Sequence, residues 1–204
     1  MRFDSIKEHT FLRALHRARL PILTVALTYL LSFVVGAVMV HAGNKFALDR
    51  RDALVGHGET HDAATIAFQE GRRFTAFSIE WGRDCLRATI RILEGIFVVP
   101  PYPLAAYTGW YHGITSVDSN HESQFGDPFG AVYYFFFQLL TLISISLSSG
   151  AGVNLTLACL RQRPWYQSDR WHGVPKEALR DLLRIYCLVV ALIFLASAWE
   201  YLFP

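Results

Sequence analysis

LPILTVALTYLLSFVVGAVMV, residues 20 to 40, holds 21 residues without one charged side chain. At 1.5 Å per residue a helix of that length reaches about 30 Å, the thickness of a bilayer's hydrocarbon core. The run is longer than the ~7–15 apolar residues of a secretory signal core. It therefore reads as a retained transmembrane helix, although VHA at Val40 to Ala42 loosely resembles a cleavage site.

The rest of the chain fits that reading. Its 204 residues are 52% hydrophobic and only 18% charged, with a mean hydropathy of +0.26. That is more apolar than a soluble domain of this length. A net charge of +2 is too small to indicate nucleic acid as a partner. Cys85, Cys159 and Cys187 lie in or beside apolar runs, are odd in number and form no C-x-x-C pair. Buried thiols are expected there, rather than a disulfide framework or a zinc site.

Two further apolar runs follow. Phe129 to Leu160 contributes 32 uncharged residues, a helix of about 48 Å that exceeds one perpendicular span. It must tilt, or SSGAG at Ser148 to Gly152 must break it or make a tight neighbour contact. The third run is Ile185 to Trp199, closed by Glu200 and by Trp199 and Tyr201 in the manner of an interfacial aromatic belt. Between the first two runs lies Gly95 to Val117, interrupted by PPYP at Pro100 to Pro103. Proline removes backbone donors and clashes with the preceding turn, so this region predicts two helices meeting at a corner.

Charge asymmetry supplies an orientation. Residues 1–19 carry five Lys/Arg against two acids, and residues 161–184 six against three, whereas Asp118 to Pro128 carries three acids and no base. The positive-inside rule makes the first two segments cytoplasmic and the acidic loop external. The expectation is an all-α, polytopic helical membrane protein, a single membrane domain over 1–204. About five spans satisfy it: Leu20–Val40, Ile79–Val99, Leu104–Val117, Phe129–Leu157 and Ile185–Phe203. Residues 42–78 form an outer amphipathic segment, and the second and third spans make a proline-broken hairpin.

The second span is unusual. Wound as a helix, Glu80, Arg83, Asp84, Arg87, Arg91 and Glu94 fall within an arc of about 100°. Ile79, Leu86, Ile90, Leu93, Ile96 and Phe97 occupy the other faces. The spacing allows ion pairs such as Asp84–Arg87 and Arg91–Glu94. Such a helix either lies flat on the outer leaflet with its stripe in water, or enters the membrane with the stripe directed at the protein interior. The apolar continuation after Glu94 favours entry. Gln138 and Glu200 are the remaining polar groups within spans, and Glu200 is expected to meet Arg83 or Arg87. Gly36, Gly109, Gly113, Gly150 and Gly152 sit in or beside spans, where small residues permit close helix packing.

These features together resemble the stage II sporulation protein M family. The matching stretches are FSIEWGRDCLRATIRILEG (Phe77 to Gly95), YTGWYHG (Tyr107 to Gly113), FFFQLLTLISISLSSGAGVNL (Phe135 to Leu155) and ALIFLASAWEYLFP (Ala191 to Pro204). The chain departs from the family pattern at four places. It has no Pro-His-Gly, Gln138 stands where the family has glutamate, and Asp84 and Thr108 stand where it has asparagines. The resemblance implies a divergent multi-pass membrane protein that associates with other envelope proteins; it does not imply an enzymatic reaction in this subunit.

Nothing in the sequence indicates catalysis. There is no P-loop, G-x-G-x-x-G, G-x-S-x-G or H-E-x-x-H. His112, Asp118, His121 and Glu122, and HGETH at His57 to His61, are metal-ligand types without metal-site spacing and read as solvated loops. NLT at Asn154 to Thr156 matches a glycosylation acceptor but lies in an apolar run. No catalytic residue, cofactor or metal site is expected. The resulting expectation is a scaffold subunit of a cell-envelope complex in the bacterial inner membrane. Its partners would be lipids and other envelope membrane proteins, further copies of itself among them. The alternative is a transporter or channel subunit, which requires a wet cleft lined by Glu80, Asp84, Arg87 and Arg91.

Overall fold

The computed structural model describes residues 10–117, 123, 128–160, 166 and 170–202, with the side chains of 10, 55–61 and 128–129 left aside. Seven helices account for most of them: α1 (Thr10–His41), α2 (Lys45–His61), α3 (Ala63–Gln69), α4 (Arg73–Glu94), α5 (Pro101–Ile114), α6 (Pro128–Leu160) and α7 (Lys176–Leu202). A two-residue hairpin pairs β1 (Arg170–Trp171) with β2 (Val174–Pro175). Its turn residues His172 and Gly173 both have positive φ, as a type I′ connection requires.

Among the described residues three helices, not five, are long and apolar enough to cross a membrane: Phe11–His41, Gly130–Leu160 and Lys176–Leu202. The expected second and third spans do not qualify on their own, for two separate reasons. The helix α4 carries the six-charge stripe, and α5 has only 14 residues, about 21 Å of rise. Both are nonetheless packed among the three long helices.

Side-chain pairings fix how the helices run. Thr24 meets the Tyr102 hydroxyl at 3.2 Å, Gly109 abuts Tyr29, and Gly113 abuts Phe33 and Ala37, so α5 runs parallel to α1. Phe77 clusters with Ala198 and Tyr201, the Trp81 and Phe194 rings are 5.9 Å apart, and Thr89 meets the Tyr186 hydroxyl at 2.8 Å. That sequence of contacts makes α4 antiparallel to α7. The chain thus descends along α4, turns at the prolines and returns along α5. Val98, at φ 63, makes the turn after the 3₁₀ segment Gly95–Phe97. Thr156 of α6 donates its hydroxyl to the Gly95 and Ile96 carbonyls, both at 3.2 Å, which ties the corner to α6.

Of the two outcomes expected at Ser148 to Gly152, a break or a tight neighbour contact, the structure has the second; α6 runs unbroken from Pro128 to Leu160. Ser144 and Ser148 donate back to the Leu140 and Ser144 carbonyls at 2.8 and 2.7 Å, satisfying themselves within the helix. Gly150 and Gly152 mark close approaches instead, to Ile22 of α1 and to Ile92 and Gly95 respectively.

At the Arg17 end of the bundle, Asp181 is fully buried and holds three elements together. It accepts from Arg17 at 3.0 Å, from Arg184 at 3.0 Å and from the Tyr166 hydroxyl at 3.1 Å. Tyr166 in turn accepts from Asn154 at 3.0 Å. A buried carboxylate persists only when its lone pairs are matched in this way.

The segment between α1 and α4 is folded into α2 and α3 rather than one amphipathic run. Asn44 caps α2 by accepting from the Ala47 N–H at 3.2 Å, after Gly43 has ended α1 at a φ of 70 that favours glycine. HGETH lies in the last turns of α2 rather than in a loop. Asp118, His121 and Glu122 lie outside the described residues.

Candidate functional site

The helix α4 has the opposite build from a surface helix of a soluble protein. Leu86, Ile90 and Leu93, on its apolar side, are exposed on the outside of the bundle; Leu86 is 61% exposed. Glu80, by contrast, is 8% exposed, and the stripe to which it belongs faces a cleft between α4, α5, α6 and α7. In water that arrangement would forfeit the burial of three large apolar side chains, whereas in lipid it is the favourable one.

The cleft is a cavity of about 360 Å³. Five stripe residues line it: Glu80, Arg83, Asp84, Arg87 and Arg91. The helix α5 contributes Tyr107, Thr108, Tyr111 and His112, α6 contributes Thr141 and Ser144, and α7 contributes Ser197 and Glu200. Hydroxyls and an imidazole therefore face guanidinium and carboxylate groups across one space.

Four of the charges and an outside carboxylate form a chain. Asp62, which caps α3, pairs with Arg83; Arg83 also pairs with Glu80. Arg87 binds Asp84 at 2.6 Å and lies 3.5 Å from Glu80. Burial alone would raise the Asp62 carboxyl, but the Arg83 hydrogen bond and charge, with the Thr65 hydroxyl and N–H, hold it below the usual range.

Two members of the site stand apart. The Arg91 side chain makes no ion pair or hydrogen bond among the described residues, and Glu200, hydrogen-bonded to Tyr201, makes no ion pair among them. The expected bridges from Glu200 to Arg83 or Arg87, and from Arg91 to Glu94, are absent. Arg83 and Arg87 are engaged by acids on or beside their own helix, which are nearer. Glu94 sits at the end of α4, outside the cleft lining.

Gln138 does not line the cleft. It accepts the Tyr29 hydroxyl at 3.1 Å, and that hydroxyl also meets Nδ1 of His112. The Tyr29 hydroxyl thus joins α1 to both Gln138 of α6 and His112 of α5. Tyr134 donates to the His112 carbonyl at 3.2 Å. This network fixes the imidazole from behind. The remaining singled-out glycines, Gly36, Gly109 and Gly113, lie on the α1–α5 seam, with Gly36 facing Trp110 and Ile114.

The sequence reading missed His112 as a cleft residue, along with Tyr107, Tyr111 and Ser197. The one available signal was the helical repeat of α5, which sets its glycines on one side and Tyr107, Thr108 and Tyr111 on the other. Among the described residues no group of three or more His, Cys, Asp or Glu could hold a metal ion. No protein-family model, no curated protein and no solved structure matches the chain. What the fold and site define is a class: an all-α protein with three helices able to cross a membrane and a charged, hydroxyl-lined cleft between its helices.

Proposed function

We propose that this protein binds a polar solute within the membrane, as a subunit of a transporter or channel. One observation carries the reading: Glu80, Asp84, Arg87 and Arg91 line a single cavity whose outer wall is the apolar face of the same helix. Charges at membrane depth are costly, and facing a wet cavity is one of the few arrangements that sustains them. In this reading the α4–α5 hairpin is embedded beside the three long helices, giving five membrane helices. The N-terminus is cytoplasmic and the membrane is the bacterial inner membrane, as the Lys/Arg distribution supports.

Cysteine scanning along α4, in a variant lacking Cys85, Cys159 and Cys187, tests it. A membrane-impermeant thiol reagent should label positions 84, 87 and 91 and leave 86, 90 and 93 unlabelled. Labelling of the second set alone, or of neither, would overturn the reading.

A second reading is a scaffold within a cell-envelope complex, as the resemblance to stage II sporulation protein M implies. The exposed Phe46 and Phe74, which lie outside the three long helices, favour it by offering apolar surface to a partner or to lipid. Crosslinking at those two positions in native membranes separates the readings: a specific protein adduct at either position supports the scaffold.

A further inference from the structure

We infer that the cleft binds a small planar monoanion of the carboxylate or nitrate type, held between the Arg91 guanidinium and the Tyr111 hydroxyl. The inference rests on the cleft reading above and names the class of solute that enters it.

The charges of the cleft are unevenly placed along its length. Glu200, hydrogen-bonded to Tyr201, has Glu80, Asp84 and Arg83 as its charged neighbours, which places it toward the start of α4. Glu80, Arg83, Asp84 and Arg87 are matched to one another and to Asp62. Arg91, nearest the proline corner, lines the cavity with no ion pair or hydrogen bond from its side chain among the described residues. At membrane depth a guanidinium without a counterion is costly. An anion drawn from water into the cleft supplies one, and the planar fork of arginine donates two parallel bonds to a planar oxyanion. Asp84 is also a charged neighbour of Arg91, so one negative charge is better matched there than two.

The helix register brings a free hydroxyl to the same level. Gly152 of α6 abuts Ile92 of α4 and Gly150 abuts Ile22 of α1, while Gly109 of α5 abuts Tyr29 of α1. These contacts set the Tyr111 Cα about 13–15 Å of helix rise from the Arg91 Cα, on the side away from the corner. Helical side chains lean toward the N-terminus of their own helix. On the antiparallel α4 and α5, Arg91 and Tyr111 therefore lean toward each other, each with a reach on the order of 6 Å. What remains along the bundle is a few ångströms, a gap that one small ion bridges with ~2.8 Å hydrogen bonds. In keeping with this register, Arg91 and Arg87 are the charged neighbours of His112, the residue after Tyr111.

The Tyr111 hydroxyl is the second sign of a ligand. Tyr111 lines the cavity, and its hydroxyl makes no hydrogen bond among the described residues. A tyrosine hydroxyl held within a helix bundle usually finds a partner. The neighbouring hydroxyls differ: Thr108 and Ser144 donate to the Leu104 and Leu140 carbonyls of their own helices, both at 2.8 Å. An anion needs donors, and of these three hydroxyls Tyr111 alone keeps its proton free to give. A cavity of about 360 Å³ falls at the small end of solute sites, in proportion to an ion of a few heavy atoms and its water.

Saturation-transfer difference NMR on the full chain, purified in a non-ionic detergent, tests this with acetate as the probe. A saturable acetate signal is expected, displaced by nitrate and left standing by sulfate at the same ionic strength. Arg91→Gln should weaken acetate by about tenfold or more, the loss of a charge-assisted hydrogen bond, and Tyr111→Phe by roughly threefold or more. Both variants should melt close to wild type, because neither side chain holds an internal hydrogen bond. Arg91→Lys keeps the charge and loses the fork, so its affinity should fall between wild type and Arg91→Gln; it serves where the glutamine variant fails to fold.

No saturable acetate signal, displacement by sulfate as effective as by nitrate, or folded position-91 and Tyr111→Phe variants that bind like wild type overturns the inference. If positions 84, 87 and 91 still label from water in that event, the cleft reading stands and only its occupant is wrong. If they do not label, the cleft reading itself has failed.

Discussion

Adding one methyl group at Gly109 or at Gly113 should loosen the whole bundle, whereas the same change at Gly82 should tighten it. A Cβ at Gly109 would run into the Tyr29 carbonyl oxygen, and one at Gly113 into the Phe33 carbonyl oxygen. Both obstacles are backbone, so no rotamer change relieves them; α1 and α5 must move apart. A separation of 0.5–1 Å forfeits about a quarter to a half of the dispersion attraction across the contact. The seam includes Val25, Tyr29 and Ala105, all fully or nearly buried. Overpacking of this kind costs about 1–3 kcal/mol per site. Gly82, inside α4, has nothing within 4 Å of an added Cβ. There Ala restricts the unfolded chain and should stabilise by roughly 0.5–1 kcal/mol. Reversible unfolding in mixed dodecylmaltoside–SDS micelles, followed by helical circular dichroism, measures all three. Gly109→Ala and Gly113→Ala within about 0.5 kcal/mol of wild type, or Gly82→Ala losing as much as they do, would refute the seam.

Asp181→Ala should cost about 3–5 kcal/mol in the same assay, because it leaves Arg17, Arg184 and the Tyr166 hydroxyl without their shared acceptor. A loss under 1 kcal/mol would mean that the cluster is solvated. Tyr29→Phe strips Gln138 of its donor and Nδ1 of His112 of its partner, and should cost about 1–3 kcal/mol; an unchanged midpoint would count against the network. The Asp62 carboxyl titrates below its ordinary value of 3.8 in the folded protein. Its contribution is therefore complete above that value and disappears as pH falls through the folded one. Limited proteolysis of α2 and α3 should accelerate as the solution is acidified below about pH 4, and Asp62→Asn should be equally susceptible at about pH 3 and pH 7. A variant that keeps the wild-type pH profile would assign the transition to another group.

Helix type was legible wherever a local pattern carried it. The uncharged run Leu20 to Val40 and its two counterparts lie within the three long helices, because an apolar run of that length leaves few alternatives. The stripe of α4 followed from the helical repeat, and the corner from PPYP. What local pattern could not supply was the identity of partners. Arg17 and Asp181 are 164 residues apart in the chain, and Tyr29 and Gln138 are 109 apart; nothing in either neighbourhood announces the other. Glu200 shows the limit most clearly. An acid near arginines suggested a bridge, but Arg83 and Arg87 already have acids one turn away or at the adjoining cap. Intrahelical proximity won over the tertiary pairing.

The seam and the cleft are two sides of the same helix, and that couples stability to function. On α5, Ala105, Gly109 and Gly113 recur every four residues and close against α1. Tyr107, Thr108 and Tyr111 lie on the remaining arc and face the stripe of α4 across the cavity. His112 stands at the boundary, tied to Tyr29 of α1 on one side and lining the cleft on the other. The α1–α5 contact therefore sets how far Tyr111 and His112 stand from Arg91. Only glycine at 109 and 113 allows the backbones close enough, since any Cβ would meet a carbonyl oxygen. A substitution there that merely destabilised the bundle would leave the affinity of the folded fraction for the cleft ligand unchanged. One that displaced α5 would lower that affinity as well, and binding measured on folded Gly113→Ala decides between them. The shared helix predicts the second result.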